Sequence, residues 1–263
     1  MEQLNKGEYT GEIISKMTID DSIVTTTHYS SKKNNPEWHY HENLHICFVF
    51  QGGKAETIKE TSYTQKNGSI FFYHAQEKHR WISPNPVSKS ANIEIGQGFL
   101  NNYNLSEADI KKAIQQNVSA KTLMIKMQQE MFLDDENSSI AVENLLLELI
   151  TSSKSSIKKA PNWVLLLRQL LHDNWNEQMT LQEMSVIVGA HPVTISKYFR
   201  KYFSCTLGEY QRKLKIEKSI QLIKESKLSL TEVAFLCGFT DQSHFIRNFK
   251  KMTGFLPKHF QQF

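Results

Sequence analysis

The first hundred residues alternate between apolar and polar positions over short runs. These runs are SIVTTTHYS, HICFVFQGG, AETIKETSY, SIFFYH and ANIEIG. Clusters of Asn, Pro, Gly and Lys, such as KKNNPE and QKNGS, separate them. Period-two alternation between closely spaced turn signals is typical of antiparallel strands in a small barrel or sandwich. We therefore predict an N-terminal β domain over residues 1–100.

From about residue 105 the apolar positions follow a helical period instead. Ser106 precedes an acidic pair in NLSEADIKKAIQQ, which is a typical helix start. In SSIAVENLLLELI, Ile140, Leu145 and Leu149 fall on one broad apolar face. That face can pack against the β domain or form a homodimer interface, and the pattern fits both. We assign residues 101–155 to this helical packing or dimerisation segment.

A polar stretch, TSSKSSIKKA, ends at Pro161 and indicates an interdomain linker. The helical chain that follows contains a near-repeat. LQEMSVIVG (181–189) aligns with LTEVAFLCG (230–238), and ISKYFRKYF (195–203) aligns with FIRNFKKMT (245–253). Such self-similarity indicates one structural unit used twice.

Both copies have the same local signals. Thr180 and Ser229 can cap a helix, and Glu183 and Glu232 three residues later complete a capping box. The short helix ends at a glycine, which readily adopts the left-handed conformation. The second helix that follows has one apolar face and one polar, basic face. This order predicts a helix-turn-helix, whose second helix fits the DNA major groove, about 12 Å wide.

The segment between the copies, LGEYQRKLKIEKSIQLIKES, predicts one connecting helix. Leu214, Ile216 and Ile220 recur there at helical spacing, which indicates about five turns. Such a helix would hold the two units at a fixed separation. Their second helices would then enter successive major-groove segments about 34 Å apart.

The end of the second copy resembles the signature of the AraC/XylS transcription regulators, roughly VAxxxGFxDxSyFxRxFKxxxGxxPxxy. The matching positions are Val233, Ala234, Gly238, Phe239, Asp241, Ser243, Phe245, Arg247, Phe249, Lys250, Gly254 and Pro257. His244 and Phe260 stand where the family has Tyr. The resemblance implies an α+β protein. It would have a cupin-like sensory β-barrel with a helical extension, and an all-α domain, 161–263, with two helix-turn-helix units.

The resemblance also implies which side chains contact DNA. Base-reading positions would be Val193, Thr194, Ser196, Lys197, Gln242, Ser243 and Arg247. Positions that hold the phosphate backbone would be Arg200, Lys201, Lys250 and Lys251. Lys and Arg can pair with guanine and Gln with adenine, whereas phosphate contacts mainly set orientation. Charge agrees with this placement, because residues 161–263 carry 14 Lys and Arg against 8 Asp and Glu.

A histidine cluster marks the N-terminal domain in WHYHENLHICFVFQGG. His39, His41 and His45 can point into one interior, with His79 following later. This resembles the cupin metal motif, with His45 at the position of the usual Glu. Four imidazoles suit zinc, copper, nickel or iron, whereas the same side chains could instead hydrogen-bond an organic effector. We predict an effector pocket that includes these histidines and Cys47, with the four histidines as candidate metal ligands.

The remaining predictions concern context. Three widely spaced cysteines and the lack of an apolar leader suggest a reduced, cytoplasmic protein that is not membrane-bound. We expect no enzymatic activity. The partners would be double-stranded DNA, a small effector, a second copy of the chain and, for an activator, RNA polymerase. Two alternatives are a cupin metalloenzyme with an accessory DNA-binding domain and a constitutive DNA binder with a dimerisation-only barrel.

Overall fold

The computed structural model describes residues 2–30, 37–52, 54–58, 61–82, 87–151 and 160–262. Most of the predicted linker, residues 152–159, lies outside the described residues. The strands are β1 (Glu2–Leu4), β2 (Glu12–Ile19), β3 (Ser22–Ser30), β4 (His39–His41), β5 (Leu44–Gln51), β6 (Lys54–Ile58), β7 (Thr61–Gln65), β8 (Ile70–Tyr73), β9 (His79–Ile82) and β10 (Val87–Ile95). The N-terminal part is thus rich in strands, as predicted.

The strands form two five-stranded sheets. The first has the order β1-β4-β9-β6-β7 and the second has the order β2-β3-β10-β5-β8. Within the described ranges no hydrogen-bonded ladder joins the sheets, so the predicted barrel is present as two unclosed sheets. β1 runs parallel to β4, which departs from the antiparallel pattern that the sequence suggested.

Strand β5 shows how alternation builds the space between the sheets. Its even-numbered residues, such as Ile46 and Phe48, belong to the core that extends to the helices. Cys47 and Val49 instead pack with Tyr73 of β8 in a separate cluster. Because successive side chains of a strand point to opposite faces, His45 lies on the same face as Cys47. The sequence therefore directs His45 and Cys47 toward the other sheet.

The helices follow the strands along the chain. They are α1 (Gln97–Asn102), α2 (Glu107–Gln116), α3 (Ala120–Leu133), α4 (Ser138–Thr151), α5 (Asn162–Asp173), α6 (Leu181–Val188), α7 (Pro192–Phe203), α8 (Leu207–Glu225), α9 (Leu230–Leu236), α10 (Gln242–Thr253) and α11 (Pro257–Gln262). In the part of the chain that the structure describes, no helix has the length and apolar character needed to span a bilayer. The predicted α+β class is confirmed.

Helix α4 packs mainly against α3 and α2 and also contacts β2, whereas the first interpretation of its apolar stripe predicted packing against the β domain. Its buried face is formed by Val142, Leu146 and Leu149. Ile140 is 61% exposed whereas Leu149 is fully buried, so the prediction that they share one apolar face was wrong. A helical period of 3.6 residues brings Val142, Leu146 and Leu149 into line and places Ile140 on nearly the opposite side of the helix. The homodimer interface stays a prediction.

Both helix-turn-helix units have the predicted local structure. Capping boxes join Thr180 to Glu183 and Ser229 to Glu232. Gly189 and Gly238 take positive φ angles of 67° and 69° after the first helix of each unit. The connecting helix α8 is confirmed with 19 residues, or about 28 Å at 1.5 Å per residue.

The two units differ in what supports them. The first has its own core, which includes Val164, Leu167, Met184, Ile195, Phe199 and Leu214. The second shares a core with the N-terminal part. One buried cluster runs from Phe48 of β5 through Leu123 of α3 and Leu146 of α4 to Phe249 of α10. The second unit therefore rests directly on the helices that cover the sheets.

A buried carboxylate forms part of this contact. The backbone amide of Thr122 donates to Glu217 Oε1 of α8 at 2.9 Å. Ser119 occupies the N-cap position of α3, but its side chain makes no capping hydrogen bond. Burial raises the pKa of Glu217 to about 7, against the lowering influence of neighbouring Lys121. A side chain of the DNA-binding half thus caps a helix of the N-terminal half.

Candidate effector pocket and nucleic-acid interface

The two second helices, α7 and α10, have matching starts and cores. The His191 side chain accepts from the Val193 amide before α7, where Pro192 occupies the first turn. Asp241 accepts from the His244 amide at 2.7 Å before α10. The buried faces carry Ile195, Phe199, Phe203, Phe245, Phe249 and Thr253. Phe245 and Phe249, two aromatic residues of the family pattern, therefore help to hold the second unit together.

Most of the predicted DNA contacts lie on the opposite, exposed faces. The exposed positions are Val193, Ser196, Lys197, Arg200, Lys201, Ser243, Arg247, Lys250 and Lys251. Thr194 and Gln242 are half-buried, and Thr231 donates to Gln242 Oε1 at 3.2 Å. The spacing of Tyr198 from Ile195 and Phe199 predicts that it shares their apolar face of α7, but it is exposed, so that prediction is wrong. The individual DNA contacts stay predictions.

Aromatic neighbours line the basic face of α7. Lys197 Nζ lies 5.5 Å from the centre of the Tyr198 ring, and Lys201 Nζ lies 5.5 Å from that of Tyr202. Cations at this distance from an aromatic face are weakly attracted to it. Both ammonium groups thus stay on the surface, where a phosphate can reach them.

Three of the four predicted metal ligands meet between the sheets. His39 of β4 lies opposite His79 of β9 in the strand register, and their ring centroids are 4.4 Å apart. His41 lies two residues after His39 in β4, so its side chain points to the same face of the strand. One ring nitrogen from each of these three buried residues lies within 4.8 Å of the others. This spacing is compatible with one shared ion.

Backbone carbonyls fix the ring orientation of two of these histidines. His39 Nδ1 lies 3.2 Å from the carbonyl of Glu37, and His79 Nδ1 lies 2.9 Å from that of Glu77. Because a carbonyl can only accept, each Nδ1 carries a proton, and in the neutral ring the lone pair then lies on Nε2. This is the usual support for a histidine that binds a metal through Nε2.

His41 carries the third lone pair. Its buried Nδ1 has no hydrogen-bond partner among the described residues. Burial, helped by the adjacent His45, His79 and His39, holds the pKa of His41 far below its usual range. The ring is therefore neutral, which is the form that can bind a metal.

His45 does not belong to the three-histidine group. Asn92 Nδ2 donates to Thr27 Oγ1 at 2.9 Å, so its Oδ1 is left to accept from His45 Nε2 at 3.1 Å. The His45 ring centroid lies 4.3 Å from that of His41. The predicted fourth ligand is thus a close neighbour of the group, held by an amide.

The pocket contains polar residues that the motif did not reveal. The lining outside the five predicted residues is Tyr9, Thr10, Tyr29, Glu56, Gln65, Tyr73 and Asn92. Tyr73 donates to Glu56 Oε2 at 2.6 Å, and Gln65 donates to both. Burial and this carboxylate raise the pKa of Tyr73 well above its usual value. The period-two pattern around Glu56 would place it inward, but no motif marked it.

The space left between these side chains is small. The cavity measures about 20 Å³. A single water needs ~10–15 Å³ of such space. Cys47, the other predicted pocket residue, is buried on its wall. The cavity therefore has room for an ion or a water molecule and not for a sugar-sized molecule.

Comparison with known proteins finds similarities to the C-terminal half of the chain. A family model described as a helix-turn-helix domain matches residues 184–262. The regulator GbdR of Pseudomonas aeruginosa is 31% identical over 93 residues, which are 35% of this chain and 25% of GbdR. The chain thus spans about a quarter of that relative's length.

Other similarities extend over most of the chain. The transcriptional activator RhaS of Shigella sonnei is 21% identical over 243 residues, covering 85% of this chain and 87% of RhaS. Fatty-acid-bound ToxT of Vibrio cholerae is 12% identical with a TM-score of 0.37, covering 92% of this chain and 95% of ToxT. With the signature residues of the second unit, the family model and the GbdR match show that the C-terminal part of the chain is a helix-turn-helix domain similar to those of the AraC/XylS transcription regulators.

Proposed function

We propose that this regulator senses a divalent transition-metal ion in its N-terminal pocket and changes its affinity for DNA in response. The observation that carries the proposal is the convergence of His39, His41 and His79, whose ring nitrogens lie within 4.8 Å of one another. An N-terminal sensory part, 1–100, and its helical extension, 101–155, would then control the DNA-binding part, 161–263.

The chemistry of the pocket favours a metal over an organic effector. Two histidines are oriented by bonds from Nδ1 to backbone carbonyls, and His41 is neutral. Imidazoles of this kind suit zinc, copper, nickel and iron. The cavity of about 20 Å³ favours an ion-sized occupant over a sugar-sized one. A metal held by these histidines would link the paired strands β4 and β9 through their side chains and supply a fixed positive charge between the sheets.

The DNA-binding half would use both second helices. Val193, Thr194, Ser196, Lys197, Gln242, Ser243 and Arg247 would read bases, and Arg200, Lys201, Lys250 and Lys251 would hold phosphates. RhaS is named a transcriptional activator. We extend that role to this chain, with RNA polymerase and a second copy of the chain as partners. The matched relatives are named transcription regulators, and we assign the pocket no catalytic step.

Gln242 and Lys201 provide a test of the DNA contacts. Gln242→Ala should relax base preference at one operator position, because the lost contact is worth about 1–3 kcal/mol for the preferred base. Lys201→Ala should weaken binding to all DNA sequences alike. It should also lower the salt dependence of the affinity by the contribution of about one phosphate contact. Binding curves over a set of single-base operator variants measure both effects. A uniform loss for Gln242→Ala would contradict its base-reading role.

The metal proposal predicts one bound ion per chain. Untagged protein dialysed against zinc, and in parallel against nickel, should retain about one equivalent of one of them. His79→Ala should lower the affinity at least about tenfold, as should His39→Ala. His259→Ala, an exposed residue of α11, is the matched control and should retain the ion.

The same samples test the regulatory step. Wild-type affinity for operator DNA should change on metal addition, whereas the affinity of His79→Ala should not respond. Metal content near zero in wild-type protein would contradict the metal site. A metal-loaded protein with unchanged DNA affinity would contradict sensing.

A further inference from the structure

A second, larger cavity lies between the N-terminal helices and the DNA-binding units. It measures about 610 Å³ and is formed by parts of α3, α4, α7, α8 and α10. Pockets for small molecules commonly measure ~300–1,000 Å³. Because α3 and α4 belong to one half of the chain and α7, α8 and α10 to the other, an occupant would touch both halves. We call this space the interdomain cleft.

The walls of the interdomain cleft are strongly basic. Five cationic side chains line it: Lys126, Arg200, Arg212, Lys213 and Lys251. The acidic residues on the walls are Glu148 and Glu209. Among the residues that the structure describes, no ion pair within 4.0 Å involves any of the five cations. Several positive charges in one cavity favour the binding of an anion.

The carboxylate of Glu209 already has other partners. It accepts hydrogen bonds from the backbone amide and the hydroxyl of Thr206, both at 2.8 Å. These bonds, with smaller contributions from Arg200 and Arg212, lower the pKa of Glu209. Its capping role at the start of α8 directs Oε2 to Thr206. The two arginines therefore retain most of their hydrogen-bonding capacity for a ligand.

A buried hydroxyl on the same wall also lacks a partner. Ser119 is 6% exposed and lines the cleft, and its Oγ has no hydrogen-bond partner in the described part of the chain. A buried hydroxyl without a partner costs free energy that a ligand oxygen can recover. Ser119 adds a neutral donor to the charged ones.

We propose that the interdomain cleft binds a small phosphorylated metabolite. Phosphate oxygens match both the forked donors of arginine and the point charge of lysine. The number of cations favours a ligand with two phosphate groups over one with a single carboxylate.

The position of the site gives it a regulatory consequence, which rests on the proposed function. Arg200 and Lys251 line the cleft and are also proposed to hold the DNA backbone. A phosphorylated ligand that engages them would compete with DNA phosphates. By linkage, ligand and operator should each weaken the binding of the other by the same factor.

Calorimetric titration of the full chain tests the site. The probes are pyrophosphate and fructose 1,6-bisphosphate at constant ionic strength, with unphosphorylated fructose as the negative control. Saturable binding of at least one phosphorylated probe is expected. Lys126→Gln and Arg212→Gln should each weaken it about tenfold or more, since each removes a charge-assisted hydrogen bond. Lys112→Gln, an exposed residue of α2 away from the cleft, should leave it unchanged.

The outcomes separate the two proposals. A chain that binds operator DNA but neither probe would overturn the cleft assignment alone. Equal losses for Lys126→Gln and Lys112→Gln would also overturn it, because the anion would then bind elsewhere. A chain that binds the probes with the expected losses but shows no operator affinity would support the cleft and contradict the proposed DNA contacts.

Discussion

Replacing Glu217 by glutamine is expected to stabilise the protein at pH 8 relative to wild type, and to lose that advantage near pH 5. Burial raises the pKa of Glu217 from 4.5 to about 7. Between those values the folded state binds more protons than the unfolded state. The stability that Glu217 contributes is therefore fully present below about pH 4.5 and is lost as the pH rises through about 7.

The size of the effect follows from the shift. The difference between the two pKa values corresponds to about 3 kcal/mol in the free energy of unfolding over the whole interval. Glutamine does not titrate in this range, yet its side-chain oxygen can still accept from the Thr122 amide. Urea unfolding of both proteins between pH 5 and pH 8 measures the difference directly.

A matched control separates this effect from general acid destabilisation. Glu225 is an exposed residue of the same helix, α8, and Glu225→Gln should follow the wild-type pH dependence. If the Glu217→Gln and wild-type curves ran parallel from pH 5 to pH 8, the buried carboxylate would not have the role described here.

The Glu217 contact also links the two halves of the protein. Glu217 lies on the helix that connects the two helix-turn-helix units, and it caps α3, which packs against α10. A change in the N-terminal half that moves α3 would therefore act on the connecting helix as well. Proton binding at this carboxylate and ligand binding in the interdomain cleft would both affect the same contact.

Local signals explain why the DNA-binding half could be predicted in detail. Thr180 with Glu183 and Ser229 with Glu232 define helix starts within four residues. Each glycine turn is likewise encoded by a single residue. The tertiary surroundings of the two glycine turns nevertheless differ. A Cβ atom on Gly238 would lie 2.5 Å from the carbonyl oxygen of Asn176, whereas one on Gly189 would meet nothing within 4 Å.

Non-local contacts explain what sequence patterns missed. The cupin-like pattern indicated the three histidines that meet, His39, His41 and His79. It also included His45, whose ring instead bonds to Asn92 of β10. Glu56 appeared as an ordinary polar residue of an alternating run, and its burial depends on packing between two sheets. Glu217 lies among lysines in α8, whose sequence resembles that of a solvent-exposed helix. Its contact with α3 joins residues 95 positions apart.

The second large effect concerns how the two units share one stretch of DNA. Helix α8 begins four residues after α7 and ends five residues before α9, so it fixes the spacing of the units. Because α8 is one continuous helix of about 28 Å, the two units cannot easily rotate relative to each other when their contact segments on the duplex are moved apart. Five added base pairs turn one contact segment by about half a helical turn, since one turn is about 10–10.5 base pairs.

Binding of the full chain to an operator with five base pairs inserted between its two contact segments is therefore the most direct test. We expect the affinity to fall about 100-fold, because the second unit can no longer bind as part of the same complex. The protection of one segment should persist while that of the other disappears. Unchanged affinity, with both segments still protected, would contradict the central claim that a rigid pair of helix-turn-helix units binds adjacent major grooves.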